Sequence, residues 1–174
     1  MEGVEKGKVR LLPHQEQWEQ EARQTEKQIR ALWGGNVKQV CHIGSTAVSG
    51  LCAKPILDMA VQLFDMARMD VSAMEAAGYE SCGSEGRDRH WLFVLRSAPG
   101  GLSLRHIHCY DANSKEFGEK VWFCRCLREN PPIAREYAQL KEKLAREHPG
   151  DREAYTRGKT DFILRVLHDT GMVE

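Results

Sequence analysis

The sequence predicts an α+β fold, a small mixed β-sheet with helices packed on it and a last third that is mostly helical. Three observations predict it. β-Forming runs bounded by Gly and Pro crowd residues 37–110, helical patterning fills the chain from Ser114 onward, and strands precede helices instead of alternating with them. With 174 residues, the chain reads as a single domain whose core covers about 9–169.

Each element follows from local pattern. KVRLL (8–12) reads as a short first strand interrupted by Pro13. Between His14 and Trp33, the residues Trp18, Ala22, Ile29 and Trp33 share one helical stripe, Gly34-Gly35 stops the helix, and both tryptophans are expected in the core. VKQVCHIG (37–44) and PILDMAVQL (55–63) read as strands joined by the small-residue loop STAVSGLCA. Residues 66–77 suit a helix ended by Gly78, and YESCG, WLFVLRS and LSLRHIHCY suit three further strands. Helices follow over 114–129, over 131–147 opened by Pro131-Pro132, and over 151–169 opened by Asp151 as N-cap. They are expected to cover one side of the sheet, with KEKLAREH (141–148) as a solvated helix face. No internal repeat and no low-complexity segment interrupts the pattern.

Composition narrows the function classes. Lys and Arg number 25 against 25 Asp and Glu, so bulk attraction to nucleic acid or to a membrane surface through net charge is not indicated. No apolar run approaches the ~18 residues that span a bilayer, and MEGVEKGKVR carries charges where a signal peptide needs an apolar stretch. A cytoplasmic setting is expected. The six cysteines then read as reduced thiols, mostly buried, and the absence of any CxxC pair argues against a structural zinc site.

The segment HIGSTAVSGLCAKPILDMAV, from His42 to Val61, concentrates the chemistry. Gly44 and Ser45 end a strand in a turn where a missing Cβ lets backbone N–H groups approach a ligand, and the hydroxyls of Ser45 and Thr46 add donors suited to phosphate. Lys54 can place a cation beside that phosphate. Asp58 lies in an apolar strand, where an ionised carboxylate needs a partner or a metal. The same residues also fit an ordinary turn, a solvated strand entrance and a structural ion pair. In LRHIHCYD, His106 and His108 alternate along a strand and share a face, with Arg105 and Cys109 on the other. Two imidazoles and Asp58 would make a site for a divalent transition ion, while a polar groove or core hydrogen bonds are the plainer alternative. Arg87, Arg89 and Arg96 flank a strand as phosphate grips or as a solvated rim. Tyr155 and Lys159 share a helix face at i and i+4.

With those residues in hand, the chain resembles the GrpB family of nucleotidyltransferase-like proteins: HIGSTAV, GLCAKPILD, the HIH strand, LRENP, YAQLKEKLA and AYTRGKTDFI occur in the family's order over about residues 9–167. The resemblance implies a minimal nucleotidyltransferase-type core in which Gly44-Ser45 is the phosphate turn and Asp58 the first metal carboxylate. It implies Mg²⁺ or Mn²⁺ as cofactor, an NTP as substrate and an unidentified small-molecule or protein acceptor for the NMP group. Lys54, His106, His108, Tyr155 and Lys159 match the family pattern and stand as site candidates. The departures are specific. Ala60 stands where the superfamily usually has its second carboxylate, Ser49 where the family usually has proline, and Cys124-Arg125 where family sequences often have an arginine followed by an acid. The expectations are therefore a metal-dependent nucleotidyltransferase, a non-catalytic nucleotide or phosphometabolite module, or a His/Asp metal-dependent hydrolase.

Overall fold

A computed structural model describes residues 1–84, 86 and 89–172. Helix α1 (Gln17–Trp33) leads to β1 (Val37–Ile43) and β2 (Leu57–Leu63), then α2 (Val71–Ala76), β3 (Tyr79–Gly83), β4 (His90–Arg96) and β5 (Ser103–Asp111). Four helices follow: α3 (Lys115–Glu129), α4 (Pro131–Glu147), α5 (Arg152–Arg157) and α6 (Thr160–Asp169). The five strands form one sheet in the order β1-β2-β5-β4-β3. β2 and β5 run parallel, and every other neighbouring pair is antiparallel, so the sheet is mixed as expected.

Alternation along β2 and β5 sends side chains to two covered faces. Leu57, Met59, Val61, Leu63, Ile107 and Cys109 build one cluster with Ile29 and Trp33 of α1 and Met74 of α2. On the opposite face Ile43, Ala60 and Tyr110 meet Phe117 of α3. Helices therefore cover both sides of the sheet and not one, because β2, with parallel neighbour β5, is buried on both faces beyond Asp58. A third cluster joins Ala47, Val48 and Leu51 of the β1–β2 loop to α3, α4 and α6, through Leu127, Tyr137 and Phe162 among others. That cluster fixes the loop against the helical layer.

Caps explain the helix starts. Ser114 accepts from the N–H of Phe117 at α3, Asp70 from Ala73 at α2, and Asp151 from Ala154 at α5. Pro131 and Pro132 open α4, where missing N–H groups cost nothing.

Four further expectations shift. KVRLL is not a strand: Leu12 makes a single bridge to Ala53, and Pro13 removes the donor that would continue it. The helix read over 66–77 is a 3₁₀ turn (Met66–Arg68) followed by six α-helical residues. The helix read over 151–169 is broken at Gly158-Lys159 into α5 and α6. A Cβ on Gly158 would lie 2.5 Å from Leu144 Cδ2, so the break sits where the chain passes close against α4. Finally, of the six cysteines only Cys109, Cys124 and Cys126 are buried; Cys41 and Cys52 are half-buried and Cys82 is exposed. Trp18 and Trp33 are core residues, as read.

Candidate active site

Register creates the centre of the site. Asp58 on β2 is paired with His106 on β5, and His108 lies two residues further along the same face. His106 Nδ1 is 3.1 Å from Asp58 Oδ1 and His108 Nε2 is 3.9 Å from the same oxygen. One donor atom from each of the three falls within 4.8 Å of the others. The Asp58 side chain keeps 33% of its surface open, so the group faces a cleft and not the core. Burial pushes its carboxyl up, but hydrogen bonds from the two imidazoles outweigh that and hold it well below the usual carboxylate range. Burial pulls His108 down, so its imidazole favours the neutral, ligating form.

The turn expected to take phosphate abuts this carboxylate. Gly44 has φ 73°, a left-handed conformation, and a Cβ there would lie 3.0 Å from Asp58 Oδ2. Glycine is thus required twice, for the turn and for the approach of Asp58. Ser45 opens a 3₁₀ turn (Ser45–Ala47) directly after it. Thr46 lines the same pocket, but it is buried and its hydroxyl is 2.9 Å from His42 Nε2.

A cleft of about 480 Å³ contains Asp58, both histidines, Gly44, Lys54 and Lys159, and a smaller pocket of about 110 Å³ continues it beneath Ser45 and Tyr155. Cations ring it. Lys54 and Lys159 lie over the Tyr155 ring at 5.4 and 4.5 Å from its centroid, which explains why Tyr155 is buried under them. Burial, and after it the nearby Arg152 and Lys159, pull Lys54 down to about 7; burial pulls Lys159 down to about 8 against the opposing pull of Asp58. A cleft that gathers Lys54, Lys120, Arg152 and Lys159 in this way has the chemistry to take a polyanion. The break at Gly158-Lys159 is what turns Lys159 into the cleft wall.

Several site residues escaped the sequence reading. Lys141, expected on a solvated face, is 1% exposed; its ammonium donates to Ser45 Oγ at 2.9 Å and to the Cys52 carbonyl, and lies over the Tyr137 ring. The signal was present, since Tyr137, Lys141 and Leu144 stand at i, i+4 and i+7 on the buried stripe of α4. Lys120 and Glu116 of α3 and Arg152 of α5 also line the cleft, without a pattern that singles them out. His90 on β4 is buried and contacts His108 at 3.2 Å between Nε2 and Nδ1. Among the arginines, Arg96 pairs with Glu80 and Ser103, and Arg89 lies 3.6 Å from Asp111, both away from the cleft; Arg87 is outside the described residues.

Residues 8–169 match the model of a protein family described as GrpB protein. The chain belongs to the GrpB family. Glutamate-rich protein GrpB of Alkalihalophilus pseudofirmus is 31% identical over 173 residues, 97% of this chain and 99% of that protein. UPF0157 protein YqkA of Bacillus subtilis is 29% identical over 91% of this chain, which spans only 46% of YqkA. The crystal structure of the conserved protein GrpB from Enterococcus faecalis has the same fold, with a TM-score of 0.83 and 31% identity over 92% of this chain and 96% of that one. For this GrpB-family chain, no helix among the described residues is long and apolar enough to cross a membrane.

Proposed function

We propose that this GrpB-family chain is a metal-dependent nucleotidyltransferase that moves an NMP group from an NTP to a hydroxyl of a small-molecule or protein acceptor, in the cytoplasm. The observation that carries the reading is the contact between the Gly44 turn and the Asp58 carboxylate, inside a cleft walled by Lys54 and Lys159. The phosphate turn and the carboxylate that would hold an ion therefore stand side by side. The family resemblance to nucleotidyltransferase-like proteins supports it.

Asp58, with His106 and His108, would hold a divalent ion such as Mg²⁺ or Mn²⁺, and their separations of 3.1 and 3.9 Å suit donors around one centre. When bound, such an ion would supply Lewis-acid neutralisation of the charge that develops in transfer. The chain's own residues do the rest. Backbone N–H groups of the turn and Ser45 Oγ orient the phosphates, and Lys141 and Tyr137 hold Ser45 from behind. Lys54 and Lys159 offset the charge of departing pyrophosphate. The acceptor oxygen forms the new bond to the α-phosphorus as the bond to the bridging oxygen breaks, and one proton is released.

A second reading, a nucleotide- or phosphometabolite-binding module without turnover, is favoured by one observation: Ala60 occupies the second carboxylate's usual place and is fully buried against Tyr110 and Phe117. Calorimetric titration with each of the four NTPs, with and without Mg²⁺ or Mn²⁺, tests both. Metal-dependent binding that disappears in Asp58→Ala is expected; pyrophosphate release on addition of acceptors then separates transfer from binding. If no NTP binds under any condition, the transferase fails and the pocket passes to another phosphorylated ligand or to a metal-centred site.

A further inference from the structure

We infer that the metal centre of this cleft is built for a first-row transition dication in preference to magnesium, and that His90 is a positioning residue that holds His108 with Nε2 toward the ion. The inference rests on reading Asp58, His106 and His108 as a metal centre, as the proposed function does, but it needs no nucleotide.

The donor set comes first. Two imidazole nitrogens face one carboxylate, at 3.1 and 3.9 Å from Asp58 Oδ1. Metal–ligand bonds of about 2.1 Å, at angles between octahedral and tetrahedral, separate neighbouring donors by about 3.0 to 3.4 Å, so only a small movement of His108 closes the set. Magnesium prefers oxygen and sheds water reluctantly, whereas imidazole suits zinc, cobalt, iron and nickel. The neighbouring position on the same face cannot add an oxygen ligand. It is Ala60, sealed between Tyr110 and Phe117.

The support for His108 comes next. A ligating Nε2 must present its lone pair, so the proton of neutral His108 sits on Nδ1. Nδ1 is 3.2 Å from Nε2 of His90, which can accept that proton's hydrogen bond and so fix both tautomer and ring orientation. His90 is 1% exposed, lies in tilted contact with Tyr110 at 5.1 Å between ring centroids, and cannot swing away. It touches neither the cleft nor a substrate, so its role runs through His108.

The test is calorimetric titration of the metal-stripped chain with Co²⁺, Zn²⁺ and Mg²⁺ in the absence of nucleotide, alongside Asp58→Ala, with the visible spectrum of bound cobalt as second readout. Expected is one Co²⁺ or Zn²⁺ per chain, bound at least about 100-fold more tightly than Mg²⁺, with that binding lost in Asp58→Ala. Affinity for Mg²⁺ equal to that for the transition ions would overturn the inference, as would binding unaltered in Asp58→Ala, which would assign the ions to the thiols. His90→Phe is expected to weaken Co²⁺ about 10- to 100-fold and alter its spectrum, and His90→Gln, which can still accept from Nδ1, to recover most of the loss. Equal cobalt affinity and spectrum in the folded His90→Phe and wild-type proteins would remove the positioning role; if His90→Phe does not fold, His90→Leu takes its place, and cobalt affinity and spectrum equal to wild type in that variant remove the role too. A chain that binds cobalt but no NTP would end the transferase reading and leave this one standing, and NTP binding with Mg²⁺ alone would do the reverse.

Discussion

On β2 and β5, the residues that face α1, among them Leu57, Met59, Val61, Ile107 and Cys109, are at most 1% exposed and form one apolar cluster. At alternate positions of the same two strands, on the face toward α3, stand Asp58, His106 and His108 around an open cleft. The same backbone therefore carries the fold on one side and the site on the other, because strand side chains alternate. Stability and chemistry should be separable by substituting adjacent residues.

The largest effect should come from Ile107, which is fully buried between the two histidines in sequence. Ile107→Ala is expected to cost about 2–5 kcal/mol in chemical denaturation, while Asp58→Asn, which keeps volume at a cleft-facing position, should cost less than about 1 kcal/mol yet remove metal-dependent NTP binding. Comparable losses of stability in both variants would break the division between the faces.

Lys141 sharpens the comparison, since it is a charge placed where a core residue is expected. Lys141→Met keeps the apolar stem and removes the hydrogen bond to Ser45. The lost hydrogen bonds to Ser45 and to the Cys52 carbonyl, each worth about 1.5–3 kcal/mol of stability, are offset by the removed burial cost of an ammonium, so the melting temperature is expected to change little, while NTP affinity falls about tenfold as Ser45 loses its support. Unchanged affinity in titration would confine Lys141 to architecture.

The most diagnostic effect is in pH, and it is small per unit. Lys54 and Lys159 titrate at about 7 and 8 in the free protein because burial disfavours their charged forms, and a bound triphosphate favours those forms. NTP affinity should therefore fall as pH rises from 7 to 9, by up to about tenfold per unit for each lysine involved, with proton uptake on binding at pH 8. Stability of the free chain should move the opposite way: with folded values below the unfolded value of about 10.4, the unfolded state holds more protons between pH 7 and 10, so stability rises with pH across that window. Affinity independent of pH would place the triphosphate away from these lysines.

Much of this was legible in the sequence. The succession of strands before helices and the contrast between HIGSTAV and its apolar surroundings pointed to Gly44, Ser45, Lys54 and Asp58, and period-two alternation put His106 and His108 on one face. Tyr155 and Lys159 were read on one helix, yet they come together through a break at Gly158 that depends on the proximity of Leu144 from α4. Lys141 was misread because charge outweighed position: the buried stripe of α4 includes it, and a lysine on such a stripe is buried only when partners wait for it. Those partners, Ser45 and the Cys52 carbonyl, lie about ninety residues earlier.

By itself the sequence determined the periodicities, and with them which residues face together along each element, because side-chain direction is a local property of backbone geometry. Only the tertiary structure decided which elements meet: the parallel register of β2 against β5 that sets Asp58 beside His106, the Gly44 backbone against that carboxylate, His90 behind His108, and Lys141 behind the phosphate turn. Those contacts join residues that local pattern leaves independent, and they form because burying the apolar faces on either side of the sheet fixes the register in which the polar ones arrive.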